Sequence, residues 1–221
     1  MILFEMQEHR VSARVSGRCL IAAPVGAGPF PLLAGFHGYG QTAEDGMELL
    51  QRIPGSEGWI TCAVEALHPF MNAKGEPGAS WMTRRDRDFR IAENVAYVDT
   101  VLAEVRAAYP ASGTIVLHGF SQGVGMACRA AVLGCHRVSA VMLVGGDVPP
   151  ELEWLEPMHS VHLARGDRDC IYPEESFVCD MERLAGSGVH VRDAVFRGSH
   201  APNDAYHVEA GRFLAAVAGG A

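Results

Sequence analysis

The sequence of 221 residues has no excess of basic side chains. It holds 18 Lys and Arg against 26 Asp and Glu, which gives a formal net charge of −8. A nucleic-acid-binding surface requires clustered cationic side chains. The composition therefore argues against a nucleic-acid partner, although it identifies no other partner.

Long apolar runs are also missing. No stretch approaches the roughly 18 apolar residues that a membrane-spanning helix requires. The segment Met1–Glu8 carries acidic residues where a signal peptide would carry basic ones, and its apolar run is short. We therefore expect no integral membrane segment and a cytoplasmic location.

Cysteine motifs are absent as well. The six cysteines form no C-x-x-C pair and show no zinc-ligand spacing, and we expect reduced, packed thiols at Cys128 and Cys135. The pattern predicts no metal site. The sequence also lacks repeats, low-complexity tracts and linkers, so residues 1–221 are predicted to form a single domain.

The sequence does contain a regular alternation of strand-like and helix-like segments. Continuous apolar runs are typical of strands covered on both faces, and amphipathic stretches separate them. This order predicts the α/β class, with a mostly parallel twisted sheet and helices on both faces. Predicted strands fall at residues 11–24 (one or two edge strands), 32–36, 59–64, 114–118, 138–144, 161–165 and 189–196, and predicted helices at 43–53, 91–105, 124–133, 174–184 and 205–217.

Residues 67–90 are the least regular part of the chain. They combine several prolines and glycines with Trp81 and with a charged cluster at residues 84–88, which is interpreted as a solvated turn. An irregular segment of this length inside a compact domain usually covers a functional site or is mobile. We expect it to cover the site.

The sequence Gly119-Phe120-Ser121-Gln122-Gly123 lies between a predicted strand and a predicted helix. In that context G-x-S-x-G is typical of a nucleophile elbow. Gly119 and Gly123 would flank a sharp turn in which Cβ atoms would collide with neighbouring elements. The motif predicts that Ser121 is a nucleophile, held in a strained conformation at the positive end of the following helix.

A serine nucleophile needs a base to take its proton and a third group to orient that base. In a parallel sheet such groups collect in loops at the carboxyl ends of the strands. After the predicted strands come a loop with Asp167 and Asp169, a loop with His200, and the glycine-rich residues 37–40. Ser121, an acid and His200 follow the chain order of α/β-hydrolases.

Other side chains could fill these roles. His207, in the predicted closing helix, is the second choice for the base, and Asp167, which could simply brace its loop, is the second choice for the acid. Asp147 is a weaker candidate. The histidines expected to pack or form hydrogen bonds at strand ends are His37, His68, His118, His162 and His190.

Four motifs in this order resemble those of the phospholipase/carboxylesterase family of α/β-hydrolases, which includes acyl-protein thioesterases and small bacterial carboxylesterases. They are His-Gly-Tyr-Gly, Gly-Phe-Ser-Gln-Gly, Gly-Asp-Arg-Asp and Gly-Ser-His, and the resemblance runs from about residue 20 to the carboxyl end. It implies a single-domain α/β-hydrolase fold. It also implies a serine hydrolase that cleaves carboxylic esters through an acyl-enzyme intermediate and needs no cofactor.

The resemblance assigns roles within these motifs. It selects Asp169 as the orienting acid and His200 as the general base. The backbone N–H groups of Tyr39 and Gln122 would bind the oxyanion.

The sequence departs from the family pattern at two places. Tyr172-Pro173 stands where the family usually has Val-Pro, and Ser80-Trp81-Met82-Thr83 where it often has Ser-Trp-Phe-Asp. Trp81 and Met82 are candidate substrate-binding residues, and Trp81 could equally pack in the core.

Several functions remain open from the sequence. The lack of a long lid insertion favours a small-molecule ester of short or medium acyl chain. The alternatives are an acyl thioesterase or lysophospholipase with the same triad, and a non-catalytic binding module, since a fold alone does not establish chemistry. A homodimer is possible.

Overall fold

The computed structural model describes residues 5–220, so residues 1–4 and 221 of the predicted domain lie outside the described residues. The strands are β1 (Cys19–Ala22), β2 (Phe30–Phe36), β3 (Ile60–Val64), β4 (His68–Met71), β5 (Pro77–Ser80), β6 (Ala111–Phe120), β7 (Ala140–Val144), β8 (Ser160–Gly166) and β9 (His190–Phe196). The helices are α1 (Ala43–Gln51), α2 (Arg87–Ala108), α3 (Gln122–Leu133), α4 (Glu174–Gly186) and α5 (Asp204–Gly219).

Seven of the strands form one sheet in the order β1-β3-β2-β6-β7-β8-β9. β1 pairs antiparallel with β3, and every other neighbouring pair is parallel. The predicted class, with its mostly parallel sheet, is confirmed.

Both faces of the sheet are covered by helices. Leu32, Ala34 and Phe36 of β2 belong to a core that also contains buried side chains of α2, α3 and α4. Leu33 belongs to the opposite core, with side chains of α1 and α5. Because successive side chains of a strand point to opposite faces, a strand covered on both sides must be apolar throughout.

The helix ends carry recognisable signals. Thr42 and Asp45 form a capping box at the start of α1, and the Asn203 side chain accepts hydrogen bonds from two amides in the first turn of α5. Pro110 follows the last turn of α2, where it ends the helix. Among residues 5–220 no helix is long and apolar enough to cross a membrane.

The prediction of one or two strands across residues 11–24 is wrong in its first half. Only Cys19–Ala22 is a strand, and it occupies the edge beside β3. Val11 and Val15 are 88% and 68% exposed, and residues 5–18 contain no helix or strand. Alternation of apolar and polar residues becomes a strand only where a neighbouring strand accepts its hydrogen bonds, and residues 5–18 pair with none.

The prediction that residues 67–90 are irregular is also corrected. β4 and β5 form an antiparallel hairpin, and α2 begins at Arg87, four residues before its predicted start. The hairpin contains Pro69 and Pro77, which sequence analysis takes as evidence against strands. Each strand of a two-stranded ribbon has a partner strand on one side only, however, and such an edge strand tolerates proline.

A group of buried aromatic and imidazole rings lies between the sheet and α5. His118 Nε2 is 2.7 Å from Tyr206 Oη, and His162 packs on Tyr206 and Phe213. Neither ring nitrogen of His162 has a hydrogen-bond partner among residues 5–220. Burial lowers the pKa of His118 to about 3 and that of His162 to about 4, so both rings are neutral in the folded protein.

We expect acid to destabilise the protein partly through His162. In the unfolded chain the pKa of a histidine is about 6.5, so below that pH the unfolded chain binds a proton that the folded His162 ring excludes. The free energy of unfolding therefore falls as pH drops from 7 toward 4. By linkage the loss at pH 5 is about 2 kcal/mol. In His162→Leu this part of the loss should disappear. The free energy of unfolding of the variant at pH 7 should lie within about 1 kcal/mol of the parent value, because the variant has no unpaired polar group at this position. Urea unfolding of the parent and the variant at pH 7 and pH 5 measures the loss of stability, and an equal loss in the variant would contradict the prediction.

Candidate active site

Ser121 occupies a sharp turn between β6 and α3. Its backbone φ is 53° and ψ is −120°, a conformation that side-chain-bearing residues rarely adopt. A Cβ added at Gly119 would lie 2.5 Å from the Gly123 oxygen, and one added at Gly123 would lie 2.0 Å from the Phe36 oxygen. Both glycines are therefore required for the turn, as the motif indicates.

The structure brings Ser121, His200 and Asp169 together. Ser121 Oγ lies 2.8 Å from His200 Nε2, and His200 Nδ1 lies 2.8 Å from Asp169 Oδ2. The three side chains follow β6, β9 and β8 and so meet at the carboxyl edge of the sheet. With Nδ1–H donating to the carboxylate, Nε2 is free to accept the serine proton.

Asp169 and Asp167 have different tasks in the loop after β8. The buried Asp169 accepts hydrogen bonds at Oδ1 from the amides of Ile171 and Tyr172, which leaves Oδ2 for His200. Asp167 is exposed and accepts a hydrogen bond from the Gly198 amide, so it braces its loop against the loop that carries His200.

The alternative candidates lie elsewhere. His207 is buried in α5 and packs on Tyr206, and Asp147 is exposed in the loop after β7. Neither forms a hydrogen bond with Ser121 or His200 among residues 5–220. His37 does bond at the end of its strand: Nε2 accepts from the Ala66 amide, and Nδ1–H donates to the Gly38 carbonyl.

The His200 ring is closely packed. Phe120 lies against it with ring centroids 5.3 Å apart. Gly145 has a φ of +67°, and a Cβ there would lie 3.3 Å from the imidazole. Sequence analysis missed Gly145, although its position after β7, at the same edge of the sheet, is a signal that could have found it.

The loop that carries Tyr39 is fixed by three hydrogen bonds. The Gly38 amide donates to Gln41 Oε1 at 2.7 Å, the Gly40 amide to the Ala79 carbonyl at 2.9 Å, and the Trp81 indole N–H to the His37 carbonyl at 2.9 Å. Two of these bonds come from the β4–β5 hairpin and the residue after it. The backbone amides of Tyr39 and Gln122 have no acceptor among residues 5–220, and their role in binding an oxyanion stays a prediction.

The Gln122 side chain joins the turn at Ser121 to the hairpin. Its Oε1 accepts a hydrogen bond from the Trp81 amide at 2.9 Å, and its Nε2 donates to Ser80 Oγ at 3.1 Å. Sequence analysis considered only the Gln122 backbone and missed this contact. The hairpin is thus bonded both to the Tyr39 loop and to the turn.

Trp81 lies inside the core. It is fully buried, meets Phe36 edge-on at 5.5 Å, and its carbonyl accepts a hydrogen bond from the Asn94 side chain. Met82 is half-buried and packs against the same core. For Trp81 this favours packing over a wall of the acyl site, and substrate contact by either residue stays a prediction.

Tyr172 occupies the position at which the family usually has valine. It is fully buried, its amide donates to Asp169, and its hydroxyl donates to Asp180 Oδ2 at 3.0 Å. Asp180 also accepts from the Val148 amide, and burial raises the pKa of its carboxyl. Tyr172, through Asp180, therefore connects the loop of Asp169 to α4 and to the loop after β7.

No family model and no curated protein matches the sequence, whereas solved structures match most of the chain. Esterase PE8 is 23% identical and covers 92% of this chain and 100% of its own, with a TM-score of 0.72. The carboxylesterase of Bacillus cereus is 16% identical and covers 91% and 94%, with a TM-score of 0.75. Acyl-protein thioesterase 2 of Zea mays is 17% identical and covers 91% and 99%, with a TM-score of 0.69.

The chain has the α/β-hydrolase fold. This confirms the fold that the four sequence motifs imply. Among the glycines of the candidate site, Gly123 leaves the least room for a Cβ atom, which would lie 2.0 Å from the Phe36 oxygen at the end of β2.

We expect Gly123→Ala to destabilise the protein by about 3 kcal/mol or more, because its methyl group would meet backbone atoms that cannot move aside. The matched control is Gly113→Ala in β6, where an added Cβ has no atom within 4 Å among the described residues. The control should leave stability unchanged or slightly raised. Urea unfolding of the two variants measures the difference, and equal stabilities would contradict the proposed packing.

Proposed function

We propose that this protein is a serine hydrolase that cleaves carboxylic esters through an acyl-enzyme intermediate. The observation that carries the proposal is the chain of two 2.8 Å contacts from Ser121 to His200 and from His200 to Asp169. A hydroxyl paired with an imidazole, itself oriented by a buried carboxylate, is the arrangement that activates a serine at neutral pH.

The contacts define the proton transfers. As Ser121 Oγ attacks the ester carbonyl carbon, His200 Nε2 accepts the hydroxyl proton. His200 then gives that proton to the leaving alkoxide, so that an alcohol departs and the acyl group stays on Ser121. Asp169 stabilises the imidazolium, and a water molecule activated by the same base hydrolyses the acyl-enzyme.

The charge that develops on the carbonyl oxygen would be bound by the amides of Tyr39 and Gln122. Gln122 is the first residue of α3, so the positive end of the helix dipole adds to its amide. Loss of one such donor costs about 3 kcal/mol of transition-state stabilisation in other hydrolases. The hydrogen bonds that fix the Tyr39 loop supply the rigidity that this stabilisation requires.

One observation favours a second candidate, cleavage of thioesters or lysophospholipids with longer acyl groups. Tyr39 is 65% exposed and stacks on Phe70 at 5.1 Å, and the neighbouring Met71 is 64% exposed. Apolar surface beside the Tyr39 amide suits a longer chain, and turnover of p-nitrophenyl esters of increasing length, beside acyl-CoA of matched lengths, separates the two candidates.

A non-catalytic binding module is the alternative from another class. Such a module has no need for a hydroxyl in a strained turn within hydrogen-bond distance of an oriented imidazole. The contacts of Ser121 therefore favour the enzyme.

We expect a fluorophosphonate probe to label the protein and Ser121→Ala to abolish the labelling. The same variant should lower kcat for a short-chain p-nitrophenyl ester by roughly a million-fold, because no other group can form the acyl-enzyme. Gel-based labelling and steady-state kinetics measure these effects. The control is Ser199→Ala, which changes a serine next to His200 that is not one of the three proposed catalytic residues. Undiminished labelling of Ser121→Ala would exclude the proposal.

The two acids of the loop after β8 should differ sharply. Asp169→Asn should lower kcat by about 10⁴-fold, because the amide cannot stabilise the imidazolium and favours the wrong tautomer. Asp167→Asn retains an oxygen that can accept the hydrogen bond from the Gly198 amide, so it should lower kcat by less than about tenfold. Comparison of kcat for the two purified variants decides the assignment, and the reverse order would transfer the role to Asp167.

A further inference from the structure

A group of metal-ligating side chains lies away from the candidate active site. Asp99 is on α2, and Cys135 and His136 follow the end of α3. Within residues 5–220, this is the group of three whose possible ligand atoms all lie within 4.8 Å of one another. Asp99 comes from a helix, and Cys135 and His136 from a loop that begins 36 residues later, which explains why no spacing in the sequence reveals them.

The carboxylate of Asp99 is held in place by the backbone opposite. The Cys135 amide donates to both carboxylate oxygens at 3.1 Å. A Cβ added at Gly134 would lie 2.8 Å from Asp99 Oδ1, so glycine at this position leaves room for the carboxylate. Each carboxylate oxygen keeps a lone pair for a cation.

The imidazole of His136 is held by a hydrogen bond that leaves one ring nitrogen for a ligand bond. Its Nε2 lies 3.0 Å from the Asp99 carbonyl oxygen, to which only a protonated Nε2 can donate. The proton of the neutral ring is thus on Nε2, and Nδ1 carries a free lone pair. Metal-binding histidines commonly donate their second N–H to a backbone carbonyl in this way.

We propose that Asp99, Cys135 and His136 form a binding site for Zn²⁺ or a similar thiophilic divalent cation. Thiolate, imidazole and carboxylate together suit zinc, and Cys135, which is exposed where the sequence predicts a packed thiol, leaves the fourth position to water. On binding, Cys135 gives up its thiol proton to solvent.

The site requires only small side-chain movements. Zinc–ligand bonds of about 2.0–2.3 Å in a tetrahedron place neighbouring ligand atoms roughly 3.5 Å apart, and the three candidate ligand atoms lie within 4.8 Å of one another. Cys135 and His136 lie in a loop at the protein surface, where rotation of their side chains closes that gap.

The bound ion would join the middle of α2 to the end of α3. The 12 residues of α3 separate the site from Ser121, a distance of about 18 Å along the helix. The cation would therefore act on stability and not on the ester chemistry. Because it binds the folded arrangement of two helices, excess zinc should raise the melting temperature.

The test is a titration of chelator-treated protein with Cd²⁺, a spectroscopic substitute for Zn²⁺. Formation of a thiolate–cadmium bond produces an ultraviolet charge-transfer band, which should saturate at one equivalent and be reversed by Zn²⁺. Cys135→Ser should lose the band, and His136→Ala and Asp99→Asn should each weaken binding at least about tenfold. Cys179→Ser, which removes an exposed thiol on α4, is the matched control and should keep the band.

Circular dichroism of each variant establishes that it is folded, so that a lost band reports on the ligand. Persistence of the band in folded Cys135→Ser would overturn the proposal. So would unchanged affinity in both His136→Ala and Asp99→Asn, because the thiol alone would then be responsible.

Discussion

The close approach between Gly123 and the end of β2 determines the geometry of the whole candidate site. With no Cβ at Gly123, the first turn of α3 contacts the backbone of Phe36 and His37 directly. The loop after His37 is thereby brought beside the turn that carries Ser121. The backbone amides of Tyr39 and Gln122, for which we propose a common oxyanion, come from distant parts of the chain and rely on this packing to approach each other.

This packing alone leaves the Tyr39 loop free to shift along the turn, and the β4–β5 hairpin removes that freedom. The Gly40 amide bonds to the hairpin backbone, the Trp81 indole holds the His37 carbonyl, and the Gln122 side chain holds the Trp81 amide. Each bond is worth only about 1 kcal/mol net, but breaking one would leave a buried polar group unpaired, at a greater cost. The hairpin thus acts on the site through the backbone groups that it orients.

Sequence reasoning succeeded where a local pattern has one physical cause. The apolar runs of β2 and β6 require a sheet covered on both faces, and glycines at positions 119 and 123 require a turn too tight for Cβ atoms. It failed where the deciding partner is distant in the chain. Residues 11–15 alternate in polarity but pair with no strand, and the prolines of the hairpin are tolerated because each of its strands has a partner strand on one side only.

The loop after β8 shows why distant partners matter for the site as well. From the sequence, Asp167 and Asp169 are two carboxylates in one loop, and only the resemblance to a family separates them. In the fold, the chain turns so that Asp169 receives the amides of Ile171 and Tyr172, while Tyr172 is anchored by Asp180 on α4. The amides hold Asp169 directed at His200, whereas Asp167 accepts a hydrogen bond from the Gly198 amide. The difference between an orienting acid and a loop brace therefore arises from hydrogen bonds that only the folded chain supplies.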